Sequence, residues 1–475
     1  MEKFFKLKEH GTNVRTEIVA GVTTFLAMAY ILAVNPSMLA ATGMDSGAVF
    51  TATAVSAAFA TLIMAFYANY PVALASGMGL NAYFAYTVCP ELVKMGVTDP
   101  WKIALTAILV EGIIFILLSL VKFREQLVNN VPANLKYGIT AGIGLFITLV
   151  GLKGAGFVTT DAFAIVGEDG TATVSSSTLV ALGDVGSAPV ALAFVGLILI
   201  GILWHFRIKG AILLGILGTW VLGMIAQVTG WYQVNPDAGV YSLFPDFSAG
   251  VSAFLPPSLA PTFFQFDFGF VAGHILQFAV IVFAFLFVDL FDTVGTLIGV
   301  ADQGGLLDKD GKLPKAGKAL MSDAVGTVAG AILGTSTVTS YVESTAGVAE
   351  GGRTGLTALS TAVMFILALF LSPIFLAIPS FATAPALVFV GLMMMKSVLK
   401  MHFDGDIADA IGGFVAIIFM PFTYSIANGI MFGILVWVFL KIFTGKIKDI
   451  HPVMWVSAAL FVLRILTLVV PALSI

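Results

Sequence analysis

The sequence predicts an all-α polytopic membrane protein, built mainly of helices that cross the bilayer. Its 475 residues are 59% hydrophobic and 11% charged, whereas a soluble domain carries about 25% charged residues. The mean hydropathy is +1.02, and apolar runs of about 20 residues recur along the chain. These observations exclude a soluble globular protein. The single cysteine, Cys89, excludes an intramolecular disulfide and any CxxC metal site.

Fifteen apolar segments follow one another, and we interpret the first 14 as membrane crossings. They cover residues 17–35, 47–68, 71–89, 101–121, 134–152, 188–205, 211–228, 270–300, 318–333, 337–350, 355–378, 382–398, 408–425, 427–443 and 452–470. The first segment lacks an A-x-A cleavage pattern and continues directly into the others, so we expect no removable signal peptide. The last is an extra segment containing Arg464, which favours a position at the membrane interface.

Two segments differ from plain transmembrane helices. Segment 71–89 begins with Pro71 and contains Gly77 and Gly79, and segment 337–350 is short and opens with hydroxyl and β-branched residues. Each is third in a group of seven, and an odd number of crossings places the second group in the opposite orientation. The sequence therefore predicts a 7+7 inverted repeat. Interrupted spans at equivalent positions of such a repeat indicate a binding site near the middle of the bilayer.

Lysine and arginine residues indicate the orientation of the chain in the membrane. With the N-terminus in the cytoplasm, the outer loops receive only Lys94, Lys102 and Lys153, and the cytoplasmic side receives the other positive charges apart from Arg464 of the extra segment. The long loops 153–187 and 229–269 then lie outside. We therefore expect a multi-pass protein of the plasma (inner) membrane with a cytoplasmic N-terminus.

Three carboxylates lie within apolar or hydroxyl-rich segments. Asp289 and Asp292 lie in AVIVFAFLFVDLFDTVGTLIGV, and Glu343 lies in AILGTSTVTSYVESTAGVA. A carboxylate in a membrane span is costly unless it faces a polar cavity or a partner, so such residues mark binding or proton-transfer sites. Helical spacing places both aspartates on one face, shared with Phe285 and Thr293. Packing between helices is the alternative for one aspartate, and the spacing does not distinguish the two.

Glu343 has two interpretations that are compatible with each other. Thr337, Thr339 and Tyr341 alternate as in a short strand, and Ser340 with Glu343 matches a capping box at a helix start. A half-helix that begins inside the membrane offers free backbone N–H groups and a positive dipole end. We expect a polar planar ligand to bind there, and simple capping is the alternative role for Glu343.

Asn81 and Gly79 are the polar and flexible positions of the other interrupted segment. Asn81 offers both donors and an acceptor, and Gly79 permits close backbone approach. Glycine packing between helices is the alternative explanation for Gly79. The aromatic residues near these polar elements are Phe25, Tyr30, Phe84 and Phe285. They are candidates to stack on a planar ligand, although a structural role in packing is favoured for each of them.

Five stretches together resemble the AzgA-like adenine/guanine/hypoxanthine permeases, which are related to the uracil and xanthine permeases. These stretches are NVRTEIVAGVTTFLAMAYILAVNP, ASGMGLNAYFAY, FVDLFDTVGTLIGVA, STVTSYVESTAGVAEGGRTGLTAL and MPFTYSIANGIMFGI. The resemblance extends from about residue 5 to residue 470, and the combination is far more specific than any single stretch. The fifteenth apolar segment departs from the family's pattern of spans.

The resemblance implies the fold of the uracil permease, with two short spans that each pair a strand with a half-helix. It implies a core domain formed by residues 1–130 and 231–378, and a gate domain formed by residues 131–230 and 379–450. Residues 451–475 then form the extra C-terminal segment. The family's site motifs match Gly79 and Asn81, the Asp289/Asp292 pair and Glu343. Asp409 also matches a family acid, without an assigned role.

We therefore expect a secondary transporter that imports purine nucleobases with a proton, by alternating access of an elevator or rocking type. The expected substrate-binding residues are Glu343, Asp289, Asp292, Asn81, Gly79, Phe25, Phe285 and Ser340. The two aspartates and Glu343 are the candidates for proton coupling, with Na⁺ as the alternative ion. No cofactor, metal or nucleic acid is expected, and a homodimer is compatible with the sequence.

Three other functions remain as alternatives. An anion carrier on the same fold is disfavoured because a fixed anionic pair repels anions. An ion channel would show permeation faster than carrier turnover. An intramembrane enzyme lacks support, since the sequence contains no HExxH motif and no GxS elbow with a partner histidine.

Overall fold

The computed structural model describes residues 2–120, 131–160, 162–166, 172–177, 180–234, 241–248, 250–308 and 313–469, and it is mostly helical. The helices are α1 (Glu2–Phe5), α2 (Val14–Met28), α3 (Ile31–Ala40), α4 (Ser46–Ile63), α5 (Met78–Tyr83), α6 (Cys89–Lys94), α7 (Pro100–Leu120), α8 (Ala133–Gly154), α9 (Ala188–His205), α10 (Ala211–Val228), α11 (Gly269–Gly273), α12 (Ile275–Gln303), α13 (Ala316–Leu333), α14 (Ser344–Ala349), α15 (Gly355–Ala368), α16 (Ser372–Leu376), α17 (Ser380–Met395), α18 (Ile407–Phe422), α19 (Ile426–Phe443) and α20 (Pro452–Val469). The strands are β1 (Leu74–Ser76), β2 (Val158–Thr159), β3 (Ala162–Val166), β4 (Ala172–Ser177), β5 (Ala181–Leu182) and β6 (Val338–Ser340).

Nine helices in the described ranges are long and apolar enough to cross a membrane. Three shorter apolar helical stretches lie within α12, α18 and α20. Each of the fifteen apolar segments predicted from the sequence contains at least one helix. These helices are those of a multi-pass membrane protein, and the count of 14 crossings stays a prediction.

The loop after α8 shows that the all-α expectation is wrong in one place. There β2 pairs with β5, and β3 pairs with β4, each pair antiparallel. The strand sequences AFAIV and ATVSSS are short and contain β-branched residues, which favour an extended backbone over a helix. This predicted outer loop therefore contains small β-hairpin structure in its described part.

The antiparallel pair of β1 and β6, here called the ribbon, joins the two interrupted spans. Leu74 lies opposite Ser340, and Ser76 lies opposite Val338. A half-helix follows each strand, since α5 begins after Gly77 and α14 begins directly after its strand's short turn. Because the strands are antiparallel, the two half-helices lead away from the ribbon in opposite directions. This confirms the prediction of a strand and a half-helix in each short span.

Threonine hydroxyls complete the outer edges of the ribbon. A two-stranded ribbon leaves one edge of each strand without a ladder partner, which is costly inside a membrane. The Thr61 hydroxyl on α4 donates to the Leu74 carbonyl at 3.1 Å and accepts from the Leu74 N–H at 2.9 Å. The Thr327 hydroxyl on α13 donates to the Val338 carbonyl at 2.9 Å. These side chains allow a strand to exist among apolar helices.

The long helices pack in two groups. The first contains α2, α3, α4, α7, α12, α13 and α15, and the second contains α8, α9, α10, α17, α18 and α19. Half-helix α5 contacts both groups, because it packs on α3 and on α8. The extra helix α20 packs against α12 and α19, and its Phe461 lies edge-on to Phe283 with ring centroids 5.5 Å apart. The ribbon packs on α3, α4, α12 and α13 of the first group, and α5 lies where the two groups meet.

Candidate functional site

Glu343 lies at the start of α14 and is buried, with 7% of the residue exposed. The hydroxyl of Tyr30 donates to Oε1 of Glu343 at 2.5 Å. Tyr30 lies in the break between α2 and α3, a break that the predicted continuous segment 17–35 did not include. The interruption of this helix therefore brings a donor to the carboxylate at the half-helix start.

The capping-box interpretation of Ser340 and Glu343 is wrong. Ser340 ends β6, where its backbone pairs with Leu74, and the Glu343 side chain makes no capping hydrogen bond. The Ser340 hydroxyl is buried and has no hydrogen-bond partner within the described ranges. A buried hydroxyl without a partner is uncommon. Contact of Ser340 with a ligand stays a prediction.

Asp292 on α12 lies against the start of the other half-helix. Its Oδ2 is 3.7 Å from the position that a Cβ on Gly77 would occupy. The same Cβ would lie only 2.5 Å from Cγ2 of Thr339, so the ribbon and α12 pack closely because residue 77 has no side chain. Asp292 also lies within electrostatic range of Asp289 and Glu343. The three carboxylates predicted from the sequence are therefore brought together.

Asp289 joins a hydroxyl network one turn earlier on α12. The Oγ1 atom of Thr293 lies 3.0 Å from Oδ1 of Asp289 and 2.9 Å from Oδ1 of Asp323 on α13. It also lies 2.7 Å from Oγ1 of Thr339 on β6. All four residues are fully buried, with 0% exposure. Two helices and the ribbon thus meet at a single hydroxyl.

Asp323 and Glu111 are buried acids that the sequence reasoning missed. Both have 0% exposure, and Glu111 on α7 accepts a hydrogen bond from Oγ1 of Thr337 at 3.0 Å. Thr337 and Thr339 are two residues apart in extended chain, so one face of this chain reaches Glu111 directly and Asp323 through Thr293. Both acids lie inside predicted apolar segments. The rule that selected the other carboxylates therefore applied to them as well.

Another buried acid, Glu17, has a structural explanation. Its carboxylate accepts hydrogen bonds from the N–H groups of Arg353, Thr354 and Thr357 and from the hydroxyls of both threonines. These groups lie at the start of α15, where the first backbone N–H groups of a helix need acceptors. Glu17 therefore holds α2 to the start of α15.

Asn81 and Gly79 hold the first short span in place. Oδ1 of Asn81 accepts from the Ser76 hydroxyl at 2.9 Å, and its Nδ2 donates to the Ser76 carbonyl at 3.4 Å. These bonds tie α5 to the end of β1. A Cβ on Gly79 would lie 2.8 Å from Cγ2 of Ile143, so this glycine lets α8 approach closely. Contact of either residue with a ligand stays a prediction.

Phe25 and Phe285 are buried against other rings. Phe25 lies edge-on to Phe365 with centroids 5.2 Å apart, and Phe285 lies edge-on to Tyr83 at 4.7 Å. Edge-to-face pairs of this kind stabilise packing. Stacking of these two rings on a ligand stays a prediction.

The carboxylate site is not neutralised by cations. In the described part of the chain, no lysine, arginine or histidine lies within ion-pair distance of Glu343 or Asp292. The same ranges contain no group of three His, Cys, Asp or Glu side chains placed to hold a metal ion. The site therefore offers acceptors and hydroxyls to a ligand that carries hydrogen-bond donors.

A separate cavity of about 660 Å³ lies between the first short span and the second helix group. It is lined by Tyr86, Thr87, Pro90, Glu91, Lys94, Val150, Lys153, Gly154, Thr423, Tyr424, Ser425 and Asn428. None of Asp289, Asp292 and Glu343 lines it. The carboxylate site and this cavity are therefore distinct features of the structure.

Comparison with known proteins identifies the family. The Xan_ur_permease profile, described as Permease family, matches residues 15–432. The chain belongs to this permease family. Adenine permease AdeQ of Escherichia coli is 41% identical over 466 residues, which cover 98% of this chain and 96% of AdeQ. Guanine/hypoxanthine permease PbuG of Bacillus subtilis is 42% identical over 472 residues, which cover 98% of this chain and 99% of PbuG. These relatives confirm the resemblance to purine permeases.

Solved structures show the same fold in more distant transporters. The transmembrane domain of the cyanobacterial bicarbonate transporter BicA superposes on this permease with a TM-score of 0.62 at 17% identity, covering 89% of this chain and 97% of that domain. The murine anion transporter Slc26a9 gives a TM-score of 0.59 at 12% identity, covering 89% of this chain and 68% of that chain. At these identities the likeness concerns the fold alone.

Proposed function

We propose that this permease imports purine nucleobases together with protons. The observation that carries the proposal is the group of carboxylates at the starts of two half-helices, where the described residues place no cation at ion-pair distance from Glu343 or Asp292. Purine bases present several N–H groups on a planar ring, and ionised carboxylates accept such bonds strongly. The adenine and guanine/hypoxanthine permeases among the relatives support purines as the substrate class.

In this proposal Glu343 accepts N–H groups of the purine ring, and Asp292 accepts further donors from the opposite half-helix. The free Ser340 hydroxyl adds one adaptable hydrogen bond. The shape of the proposed purine site is set by the residues around it, which are Asn81, Gly79, Phe25 and Phe285. Like charges that share a buried site repel one another, and a bound proton removes that repulsion. Proton coupling through Asp289, Asp292 or Glu343 follows from this arrangement.

We also propose the movement that exposes the site to each side. The chain crosses the plasma membrane 14 times with a cytoplasmic N-terminus, and its two groups of seven spans are inverted repeats. The first helix group forms the core domain and the second forms the gate domain. The core rocks or slides against the gate, which alternates access to the ribbon. Half-helix α5, which contacts both groups, lies on the boundary that this movement changes.

Uptake of radiolabelled adenine, guanine and hypoxanthine tests the proposal. Cells that lack their own purine uptake are given this chain, and uptake is measured with and without a protonophore. We expect accumulation of at least one base, abolished by the protonophore. Equal uptake in cells with and without the chain would contradict purine transport. Uptake that depends on Na⁺ and is unaffected by the protonophore would show that Na⁺, and not H⁺, is the coupled ion.

An anion carrier is the second candidate, since the two solved transporters of the same fold move anions according to their descriptions. The acidic surroundings of the ribbon argue against it, because Glu343 and Asp292 would repel an anion. Neutralising Glu343 separates the two candidates. An anion carrier would keep or increase its activity in Glu343→Gln, whereas a purine carrier would lose it.

A further inference from the structure

We propose that Asp323 on α13 shares the coupling proton with Asp289, and that the Thr293 hydroxyl joins the two carboxyl groups. The inference rests on the proposed proton-coupled transport and adds to it the place where the proton is held. It assigns the proton to the Asp289–Asp323 pair and leaves Asp292 and Glu343 to the base. Asp323 is thereby a residue of the site that the sequence did not reveal.

The hydrogen count at Thr293 carries the argument. Its oxygen makes three contacts, at 3.0 Å to Asp289, 2.9 Å to Asp323 and 2.7 Å to Thr339. A hydroxyl carries one hydrogen and accepts through its lone pairs, and ionised carboxylates only accept. Thr293 supplies one hydrogen and Thr339 supplies a second. The third contact is a full hydrogen bond only when one carboxyl group carries a proton.

Burial makes this count decisive. Asp289 and Asp323 have 0% exposure, so bulk water does not screen two negative charges that lie on either side of one hydroxyl. Without the proton, no hydrogen lies between the Thr293 oxygen and one of the carboxylate oxygens, and their lone pairs repel each other. With the proton, all three contacts are hydrogen bonds and one charge is removed. The Asp289–Thr293–Asp323 group therefore accommodates one proton.

The elements packed around the pair contribute acids and hydroxyls. On α12 the neighbouring acid is Asp292, and across the ribbon lies Glu343 with its donor Tyr30. Glu111 on α7 approaches the same chain face through the Thr337 hydroxyl. Tyr341, which follows β6, donates to the Ser76 carbonyl. Within the described ranges this environment repels a second charge and favours proton binding.

The ribbon connects the proton pair with the base. Thr339, which touches Thr293, lies four residues before Glu343 in the same short span. A base that binds at Glu343 and shifts this span also changes the contact between Thr339 and Thr293. The proton balance is simple: one carboxylate takes up H⁺ on the side where the base enters and releases H⁺ on the side where the base leaves. No electron transfer and no other reactant takes part.

The test uses purified permease in proteoliposomes with labelled adenine, guanine or hypoxanthine, whichever the wild type transports. One assay measures accumulation driven by a pH gradient of one unit, which supports about a tenfold gradient of an uncharged base for one proton. The other measures exchange of labelled for unlabelled base without a gradient. We expect Asp323→Asn to retain exchange and to lose accumulation, with an internal to external ratio near one.

Thr293 provides a second pair of variants that does not depend on the folding of Asp323→Asn. Thr293→Val removes the joining hydroxyl and should lose accumulation, whereas Thr293→Ser keeps the hydroxyl and should retain it. Thr219→Val is the matched control, because this buried hydroxyl on α10 bonds the Gly215 carbonyl of its own helix and lies away from the ribbon. It should keep the wild-type ratio of accumulation to exchange.

The outcomes separate this inference from the proposed function. Accumulation by Asp323→Asn or Thr293→Val at the wild-type level would overturn the shared proton and leave proton-coupled transport intact. Loss of exchange together with accumulation in both variants would also overturn it, because these residues would then serve binding or folding. A wild-type protein that exchanges purines but never accumulates them would overturn proton coupling itself.

Discussion

Two acidic regions of this permease have opposite surroundings. At the start of α18, Asp406 lies 2.7 Å from the ammonium groups of both Lys441 and Lys446. At the ribbon, Glu343 and Asp292 face hydroxyls, a half-helix start and other acids, with no cation at ion-pair distance among the described residues. The first region contains matched charges, and the second contains charges that the protein leaves unmatched.

The difference shows how to separate structural acids from functional ones. A partly exposed acid with lysine partners at a helix start is explained by capping and ion pairing, and no ligand is needed to explain it. A buried acid without a cation is retained in a membrane protein when it binds a ligand or carries a proton. Asp409 belongs to the first class, since it accepts from the Trp437 indole at 2.6 Å and lies 3.4 Å from Lys441.

The largest expected effect is the loss of transport in Glu343→Gln. The amide keeps the size of the side chain but removes the charge that strengthens hydrogen bonds to purine N–H groups. Hydrogen bonds to charged groups contribute about 1.5–3 kcal/mol, so purine uptake at limiting substrate should fall by about 10- to 100-fold. The measurement is the initial rate of uptake normalised to folded protein.

Glu350→Gln is the matched control for that prediction. Glu350 follows the other end of α14 and pairs with Lys209 at 2.7 Å, with 32% of its side chain exposed. An exposed ion pair contributes little, so uptake should stay close to that of the wild type. Similar losses in both variants would mean that α14 tolerates no change of charge, and Glu343 would have no special role.

The second prediction concerns the close packing that brings Asp292 to the ribbon. In Gly77→Ala the new Cβ would lie 2.5 Å from Cγ2 of Thr339, and such overpacking costs about 1–3 kcal/mol. The melting temperature in detergent and the uptake rate should both fall. Adding Thr339→Ser removes the opposing methyl group and keeps the hydroxyl, so the double variant should recover most of the loss. Gly154→Ala, where no atom lies within 4 Å of the new Cβ, should change neither quantity.

Absence of recovery in the double variant would show that Gly77 is needed for a reason other than space. A ligand that touches the Gly77 backbone would be such a reason. In that case the melting temperature would recover with Thr339→Ser while uptake remained low.

Sequence reasoning found the parts of the fold and site that depend on local pattern. Hydropathy identified the helical segments, and the composition of the two short spans predicted their strands and half-helices. Asp289, Asp292 and Glu343 stood out because an acid in an apolar stretch violates a local rule. Such violations are where functional sites are expected.

Long-range partners were beyond the same reasoning. Tyr30 and Glu343 are 313 residues apart in the chain, and Thr293 and Asp323 are 30 residues apart. A single sequence carries no signal for contacts between distant helices. Asp323 was missed because α13 is rich in small and polar residues, so an aspartate contrasts less with its neighbours there. The Ser340–Glu343 capping box failed because strand pairing with β1 determined the backbone of Ser340 instead.

The third prediction concerns the matched region, where the effect should be on stability alone. Asp406 caps α18 by accepting from the Ala408 N–H at 2.9 Å, and it bonds both lysines. Asp406→Ala removes the cap and the pairs and should lower the free energy of unfolding by about 1–2 kcal/mol. Asp406→Asn keeps a capping side chain and should lose less. Uptake per folded molecule should remain near wild type in both, and a selective loss of uptake would place Asp406 in the transport machinery.

The smallest expected effect is a pH dependence of this matched pair. Hydrogen bonds from Lys441 and Lys446 hold the pKa of Asp406 well below its ordinary value of 3.8. A carboxylate with a lowered pKa contributes stability above its unfolded pKa, near ~3.9, and loses that contribution as the pH falls toward the folded pKa. The difference in melting temperature between wild type and Asp406→Asn should therefore be constant from pH 8 to about 5 and shrink below about 4.

The response to added salt is the control for this last prediction, and it should differ between the Asp406 region and the acids at the ribbon. Lys446 is half exposed, with 48% of its side chain accessible, so added salt should reduce the difference between wild type and Asp406→Asn even at neutral pH. Asp289, Asp323 and Glu343 near the ribbon are buried and should respond little to salt. A difference that shrinks already between pH 7 and 6 would mean that Asp406 is not held ionised by its lysines. Its region would then resemble the ribbon, and a missing cation would no longer distinguish the acids that bind from the acids that support the fold.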